Sequence, residues 1–399
     1  MPNQTSEKVR ALYEKYPYPP RAPGESVDPY VDYMLGFSRV PLRHSPTFLD
    51  AGCGTGACAL GAAVLNKNLQ VFACDFNQSG LDAIEDDIDE LGLNNIELRR
   101  LDLLDLPEDF GPERGFDVIY CMGVIHHTPD PAGVLKALAG RLAPQGVMRL
   151  MVYADKGRHA LYRFARAVQS LPLSDEATTD ERVMAAKSLL MELESVTARQ
   201  GYPVPSLRGI LADSNSVSLE EFVDRYLHPH DEPYNLGLLR EHIEAAGLKF
   251  HRWFESRYWD LEELLPEATG RGDFPTDDWQ RFEIVEELFD RDQYDCYLVK
   301  PGFLANDGPL TLDCSIKLSP QVHLTEVSYR GFGLEHKARV LFYPDESLSL
   351  EQAKILKAVA KQARTLKELL SEWGVENERL WLNEASWLLR RDYLFRPNF

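Results

Sequence analysis

Three glycines at alternate positions carry the strongest chemical signal in this sequence. They stand in Leu49-Asp-Ala-Gly52-Cys-Gly54-Thr-Gly56-Ala57, between a short apolar run and an Ala-Leu-rich segment. Glycine allows a tight turn and close approach of a ligand to the backbone. Gly52, Gly54 and Ala57 also satisfy the dinucleotide pattern G-x-G-x-x-A, so the loop alone leaves its ligand open. Three acids narrow the choice. Asp50 directly precedes the loop, where an anion does nothing for a phosphate but suits an ammonium group. Asp75 ends the second apolar run, where a carboxylate can hold both hydroxyls of a ribose. Asp102 ends the third, where it can accept from an adenine amino group. A nucleoside without phosphates and with a cationic amino-acid tail fits this array, and S-adenosylmethionine is such a molecule.

The elements that must position these residues alternate strand and helix. Strands are expected over 47–50, 69–74, 96–101, 116–121 and 146–153. Helices are expected over 57–65, from Ser79 to Leu91 with Gly92 as stop, and from Pro131 to about Leu142. That alternation predicts a parallel sheet covered on both faces, a doubly wound α/β domain. Residues 154–234 read as helical and loop-rich, an insertion leaving the carboxyl end of the fifth strand, where it can cover a substrate. A helix over 238–246 and strands over 248–254 and 294–299 complete the domain.

These residues resemble the class I S-adenosylmethionine-dependent methyltransferases. The resemblance is carried by the glycine segment 49–56, by Cys74-Asp75, by Leu101-Asp-Leu-Leu-Asp-Leu-Pro107 and by Phe116-Asp-Val-Ile-Tyr-Cys-Met-Gly-Val-Ile-His-His-Thr-Pro-Asp130. It covers residues 46–153 and the closing strands. It implies a seven-stranded Rossmann-like sheet whose last strand is antiparallel. Carried over by position, Gly52, Gly54 and Gly56 line the methionine portion, and Asp75 binds the ribose. Asp102 and Leu103 contact adenine, Phe76 packs on its ring, and Cys121 and Met122 meet the methionine amino group.

Candidate acceptor residues flank this core. Tyr13, Tyr16, Tyr18 and Arg21 lie in a Pro-rich arm over residues 1–45 that is expected to close as a lid, as similar arms do in some family members. His126 and His127 follow the fourth strand and are the candidate bases, although His127 aligns with a histidine that often serves the loop's own hydrogen bonding. The insertion offers Tyr153 and Arg158 at its start, and His228, His230 and Tyr234 at its end. The last cluster mimics a metal site, but the sequence supplies no third ligand, so no metal is expected.

Composition sets the outer limits. The chain has 399 residues and a net charge of −20, which argues against a nucleic-acid partner. No apolar run approaches the ~20 residues of a membrane span, and the N-terminus has no signal-peptide pattern, so a cytoplasmic protein is expected. The six cysteines include no C-x-x-C pair and read as reduced thiols. Residues 301–399 hold 13 basic and 13 acidic residues, so the first 300 carry the whole charge. The break coincides with the loop 300–309 and marks an accessory α+β domain, with strands over 310–318, 322–329 and 338–342 and one helix over 350–373. Its tryptophans 373, 381 and 387 read as core. The expected organisation is arm 1–45, cofactor core 46–153, insertion 154–234, sheet completion 235–300 and accessory domain 301–399. The expected activity is in-line methyl transfer to a small-molecule acceptor, releasing S-adenosylhomocysteine. The alternatives are a protein or peptide side chain as acceptor, or a non-catalytic scaffold. A homodimer is a further expectation.

Overall fold

The computed structural model describes residues 4–42, 44–174, 177–200, 210, 217–270, 272, 274–329, 333–340 and 346–398. The chain divides into two compact units. Met1–Pro29, Thr47–Leu142 and Met148–Pro301 form the first; Tyr30–Pro46, Ala143–Val147 and Gly302–Phe399 form the second.

The first unit is built on a seven-stranded sheet. Its strands are β1 (Thr47–Ala51), β2 (Gln70–Asp75), β3 (Ile96–Arg100), β4 (Phe116–Met122), β5 (Leu142–Tyr153), β6 (Lys249–Trp253) and β7 (Gln293–Val299). Their order in space is β3-β2-β1-β4-β5-β7-β6. β1 pairs in parallel with β2 and β4, β2 pairs in parallel with β3, and β7 runs antiparallel to β6. Every residue of β1 is buried, as a central strand covered on both faces requires. The crossover helices are α3 (Ala57–Leu65), α4 (Gln78–Leu91) and α5 (Pro131–Arg141). Right-handed crossovers put them on opposite faces as the order reverses between β1 and β4. The carboxyl ends of those two strands therefore flank the switch point where such sheets bind ligands.

Local signals explain most element ends. Asn77, not Ser79, caps α4, its side chain accepting the Ser79 N–H at 3.0 Å. Asp130 caps α5 by accepting the Gly133 N–H at 2.8 Å. β5 starts four residues before its expected first residue, because Leu142 passes from α5 directly into extended backbone.

The arm is part of a helical cap. Helix α1 (Gln4–Lys15) contributes Leu12, and Tyr16 follows it, to a core shared with α6 (His159–Gln169), α7 (Thr179–Gln200) and α8 (Leu219–Leu227). Phe164, Val168, Val183, Phe222 and Tyr226 fill that core. The arm is thus a fourth helix of the insertion, a finding that sequence spacing across ~200 residues does not announce. Among the described residues no helix is long and apolar enough to cross a membrane. The six cysteines are free.

The second unit gathers more than the chain's tail. It contains α2 (Val31–Leu35) and the short strands β8 (Ser315–Leu318), β12 (Arg364–Thr365) and β13 (Leu394–Phe395), with β8 between the other two. A second sheet joins β9 (Val322–Tyr329), β10 (Gly333–Val340) and β11 (Glu346–Ser347). Of the strand expected over 338–342, the last two residues lie outside the described ones. The single helix expected over 350–373 is two, Leu350–Ala358 and Leu366–Trp373, separated by β12, because Thr365 starts a new helix with a capping box. Trp381 is buried, and its ring lies 4.8 Å from that of Trp373.

Tyr33 ties α2 into this unit. It is 2% exposed, and its hydroxyl donates to Asp392 at 3.0 Å. Tyr33→Ala removes a buried aromatic side chain, so we expect destabilisation of roughly 3–5 kcal/mol. The midpoint of urea unfolding, followed by tryptophan fluorescence, measures it. An unchanged midpoint would show that residues 30–46 contribute nothing to the unit.

Candidate active site

A cavity of about 340 Å³ lies at the carboxyl ends of β1 and β4. Its floor is the glycine loop. Gly52, Gly54 and Gly56 all have positive φ, at 76°, 54° and 82°. A Cβ on Gly52 would come within 2.6 Å of Val124, and one on Gly54 within 2.5 Å of the Tyr18 carbonyl oxygen. Gly56 has a different reason: its Cβ would strike Ile84 of α4, and it does not line the cavity. Two of the three glycines thus serve the cavity, and the third serves helix packing.

The three expected acids all line the cavity. Asp50 is 5% exposed; a backbone bond from Ala59 holds its carboxylate, and Oδ2 has no partner. Burial pushes its pKa up to about 7. Asp75 is gripped by the loop itself, Oδ2 accepting the Gly54 N–H at 2.9 Å and Oδ1 the Asn77 N–H at 2.8 Å. Burial still raises its pKa. Asp102 accepts the Leu104 N–H at 3.0 Å. Phe76, Leu103 and Met122 also line the cavity. Cys121 does not: it is fully buried in the core beneath, and Tyr120 lines the cavity instead. Side chains alternate along a strand, so Tyr120 and Met122 share one face of β4 and Cys121 takes the other.

The arm covers the cavity from above. Tyr13, Tyr18 and Pro19 line it. The Thr55 hydroxyl donates to the Pro19 carbonyl at 2.8 Å, and Arg21 Nε donates to the Thr55 carbonyl at 2.8 Å. Arg21 also forms a buried ion pair with Asp87 of α4 at 2.5 Å. Arg21 is therefore a staple between arm and glycine loop rather than a substrate ligand. Tyr16 faces away, into the cap core, and its hydroxyl donates to Asp180 at 2.5 Å. Tyr234 is likewise a core residue, fully buried, with its hydroxyl 2.9 Å from His242 Nδ1.

A polar cluster closes the far end of the cavity. His127, Tyr153 and Asp224 line it. Asp224, on α8, is a residue that sequence reasoning missed. Its Oδ1 accepts from the Tyr13 hydroxyl at 2.8 Å, while Oδ2 is buried without a partner. Burial pushes its pKa up to about 6, against the opposing bond from Tyr13. His127 Nδ1 donates to the His230 carbonyl at 3.0 Å, which leaves Nε2 as an acceptor in the neutral ring. The His228 ring lies against that of His127, with centroids 3.8 Å apart and the planes tilted by 34°. His126 does not reach the cavity: it is fully buried against Tyr153, with ring centroids 4.4 Å apart. Burial lowers the pKa of His126, His127 and His228, so all three rings are neutral. Arg158 lies behind the Tyr153 ring, its guanidinium carbon 3.5 Å from the centroid. His230 binds the Thr128 carbonyl at 3.1 Å and shapes the loop.

The folded chain does bring further metal-ligating groups to His228. Ligand atoms of His127, Asp224 and His228 lie within 4.8 Å of one another, and those of His126, His127 and Asp231 do so as well. The hydrogen bonds speak against a metal in the first group. His228 Nδ1 accepts the His230 N–H at 3.1 Å, so the neutral ring carries its proton on Nε2, which then has no lone pair to offer.

Acids at the ends of three adjacent strands, one of them buried behind a glycine turn without a cation, define a Rossmann-like domain for a positively charged nucleoside. The comparisons agree. A methyltransferase-domain family model matches residues 49–148. An uncharacterised protein of Synechococcus sp. is 30% identical over 299 residues, 72% of this chain and 70% of that protein. A ubiquinone biosynthesis O-methyltransferase of Acinetobacter baylyi is 25% identical over 132 residues, 33% of this chain; the match spans about half (54%) of that enzyme. PKMT2 from Rickettsia typhi, solved in complex with S-adenosylhomocysteine, shares the fold with a TM-score of 0.71 at 18% identity, over 96% of this chain and 77% of that one. The chain belongs to the class I S-adenosylmethionine-dependent methyltransferases; it is an enzyme, and S-adenosylmethionine is its cofactor.

The placement of the tyrosines is testable. Tyr16→Phe and Tyr234→Phe each remove one hydroxyl bond away from the cavity. Each is expected to lower stability by about 1 kcal/mol and to leave turnover within about twofold of wild type, a barrier change under about 0.5 kcal/mol. A tenfold loss of turnover at unchanged stability would put either hydroxyl in the reaction.

Proposed function

We propose that this enzyme methylates a small-molecule acceptor enclosed between the glycine loop and the cap. The supporting observation is the cavity's far end, walled by Tyr13, Tyr18, Tyr153, His127 and Asp224 and roofed by an arm stapled to the loop below. The cofactor supplies an electrophilic sulfonium methyl; the protein orients the acceptor and keeps water out.

The cofactor assignments follow the donors and acceptors present. Asp50 Oδ2 takes the methionine ammonium, the group its buried charge lacks. Asp75 accepts from the ribose hydroxyls with lone pairs that the loop leaves free. Asp102, Leu103 and Phe76 surround adenine, and Gly52, Gly54 and Met122 border the methionine chain. Tyr13, Tyr18, Tyr153 and His127 bound the acceptor.

Radiolabelled methyl transfer into a fractionated cell extract tests the acceptor. Label in the low-molecular-weight fraction supports the proposal. Label confined to protein would replace it with methylation of a side chain.

The buried Asp50 carboxyl also sets a pH dependence. Its folded pKa of about 7 exceeds the ordinary ~3.9. The folded state then binds more protons than the unfolded one between those values, so Asp50 takes stability away as pH rises from ~4 to ~7. An ammonium beside it needs the ionised form. Affinity for S-adenosylhomocysteine is therefore expected to rise up to about tenfold per pH unit below pH 7 and to level off above it. Calorimetry at pH 5.5, 6.5 and 8 reads this, and Asp50→Asn should flatten the profile. A flat wild-type profile would remove Asp50 from the ammonium site.

A further inference from the structure

We propose that the acceptor is an amine, bound and deprotonated by Asp224. This rests on the methyl-transfer reading of the cavity and names the chemistry of its far end.

Hydrogen-bond inventory is the first argument. Asp224 Oδ2 is buried with no partner, and Asp224 as a whole is 4% exposed. Its orientation is fixed from behind, because Oδ1 holds the Tyr13 hydroxyl. His127 presents a second acceptor, since its Nδ1–H is committed to the His230 carbonyl. A ligand atom of His127 and one of Asp224 lie within 4.8 Å of each other, and both residues line the cavity. A hydroxyl brings one hydrogen for these two acceptors, although its oxygen can accept from the buried, unpartnered His228 Nε2–H, so the inventory favours the amine only together with the charge of the site. A primary ammonium brings three.

Charge is the second argument. The ionisable groups around Asp224 are Asp231, Arg158, the imidazoles of His126, His127 and His228, and the Glu221–Arg225 pair on α8 itself. The imidazoles are neutral, and Glu221 and Arg225 cancel. Asp224 and Asp231 against Arg158 leave one net negative charge in a buried place. A monocation neutralises it. Tyr13, Tyr18 and Tyr153 line the same space, and aromatic faces attract a cation further. A carboxylate or phosphate acceptor would meet the opposite field.

The step balances without another reactant. The ammonium gives one proton to Asp224 Oδ2 and becomes a neutral amine. Its nitrogen lone pair forms the N–C bond to the methyl carbon as the C–S bond breaks. The sulfur keeps that electron pair and leaves as the neutral thioether of S-adenosylhomocysteine. The product is a methylated ammonium, and Asp224 returns its proton to solvent. Asp224 is ionised in most molecules at neutral pH, since its pKa is raised only to about 6.

The test uses the full chain saturated with S-adenosylhomocysteine and two probes of equal shape, n-butylammonium and n-butanol. Calorimetry should show the ammonium binding at least about tenfold more tightly than the alcohol, a difference of about 1.4 kcal/mol. Asp224→Asn keeps the shape and removes the charge. It should bind S-adenosylhomocysteine like wild type and lose about tenfold in ammonium affinity. If Asp224→Asn does not fold, Tyr13→Phe should weaken the ammonium by a smaller factor. Equal binding of the two probes, no ammonium binding, or unchanged ammonium affinity in the variants would overturn the proposal. Wild-type protein that fails to bind S-adenosylhomocysteine would instead overturn the assignment of the cavity to the cofactor, and the amine reading with it.

Discussion

A carboxylate held out of water without a counter-charge is the constraint on which the site depends. Asp50 sits in a strand buried at every residue, and burial, helped by the nearby Asp75 carboxylate and opposed by the Ala59 N–H, pushes its pKa up to about 7. A buried unpaired charge costs several kcal/mol, and in its absence the group takes up a proton. The chain tolerates this because the rest of the first unit is over-determined around β1: both faces are covered and both neighbours are paired in register. The glycine turn follows directly. A strand that must end beside a ligand has no room for a Cβ at Gly52 or Gly54, and their positive φ lets α3 begin at once.

The far end of the cavity repeats the same device with different materials. Asp224 is again buried with one oxygen satisfied and one bare, but the satisfied oxygen is held by a side chain 211 residues away. Cap and site are thereby one structure. The α1 face that packs Leu12 against α6–α8 carries Tyr13 to Asp224 beside it, so burying the apolar stripe aligns the polar contact. Lys15 and Tyr16 fasten the end of the same helix to Asp180. An arm anchored at both the cap and the glycine loop fits a roof better than a freely swinging lid.

What the sequence made legible follows from the kind of signal each part leaves. Buried parallel strands are continuous apolar runs, and Asp50, Asp75 and Asp102 at their ends break those runs sharply, so strands and cofactor acids stand out together. Asp224 leaves no such mark. It lies in Leu-Glu-Glu-Phe-Val-Asp-Arg-Tyr-Leu, where the 3.6-residue period of Phe222, Val223 and Tyr226 reads as an amphipathic helix and every acid reads as its wet face. Only the arrival of α1 makes that face an interior. Tyr16 was hidden for a related reason: Tyr13 and Tyr16 are about one helical turn apart, and which of them meets the cavity is decided by packing with a distant segment. Cys121, expected at the cofactor together with Met122, belongs to the core, because two consecutive strand residues cannot both face one ligand.

The histidines show how far neutrality is built in. Four imidazoles lie between β4 and the loop after α8, and three of them are buried where desolvation keeps the ring uncharged. Were His127 protonated, it would cancel the field of Asp224 and present a donor where the hydrogen-bond inventory needs an acceptor. Burial keeps both rings neutral, and the His230 backbone sets their tautomers: its carbonyl fixes the proton of His127 on Nδ1, and its N–H fixes the lone pair of His228 there. One residue's main chain thus sets two tautomers in opposite senses. Among the described residues, the charges around Asp224 are then Asp231, Arg225 paired with Glu221, and Arg158, whose guanidinium lies against the face of Tyr153. That arrangement leaves Asp224 Oδ2 as the unpartnered end of the field, in a residue that lines the cavity.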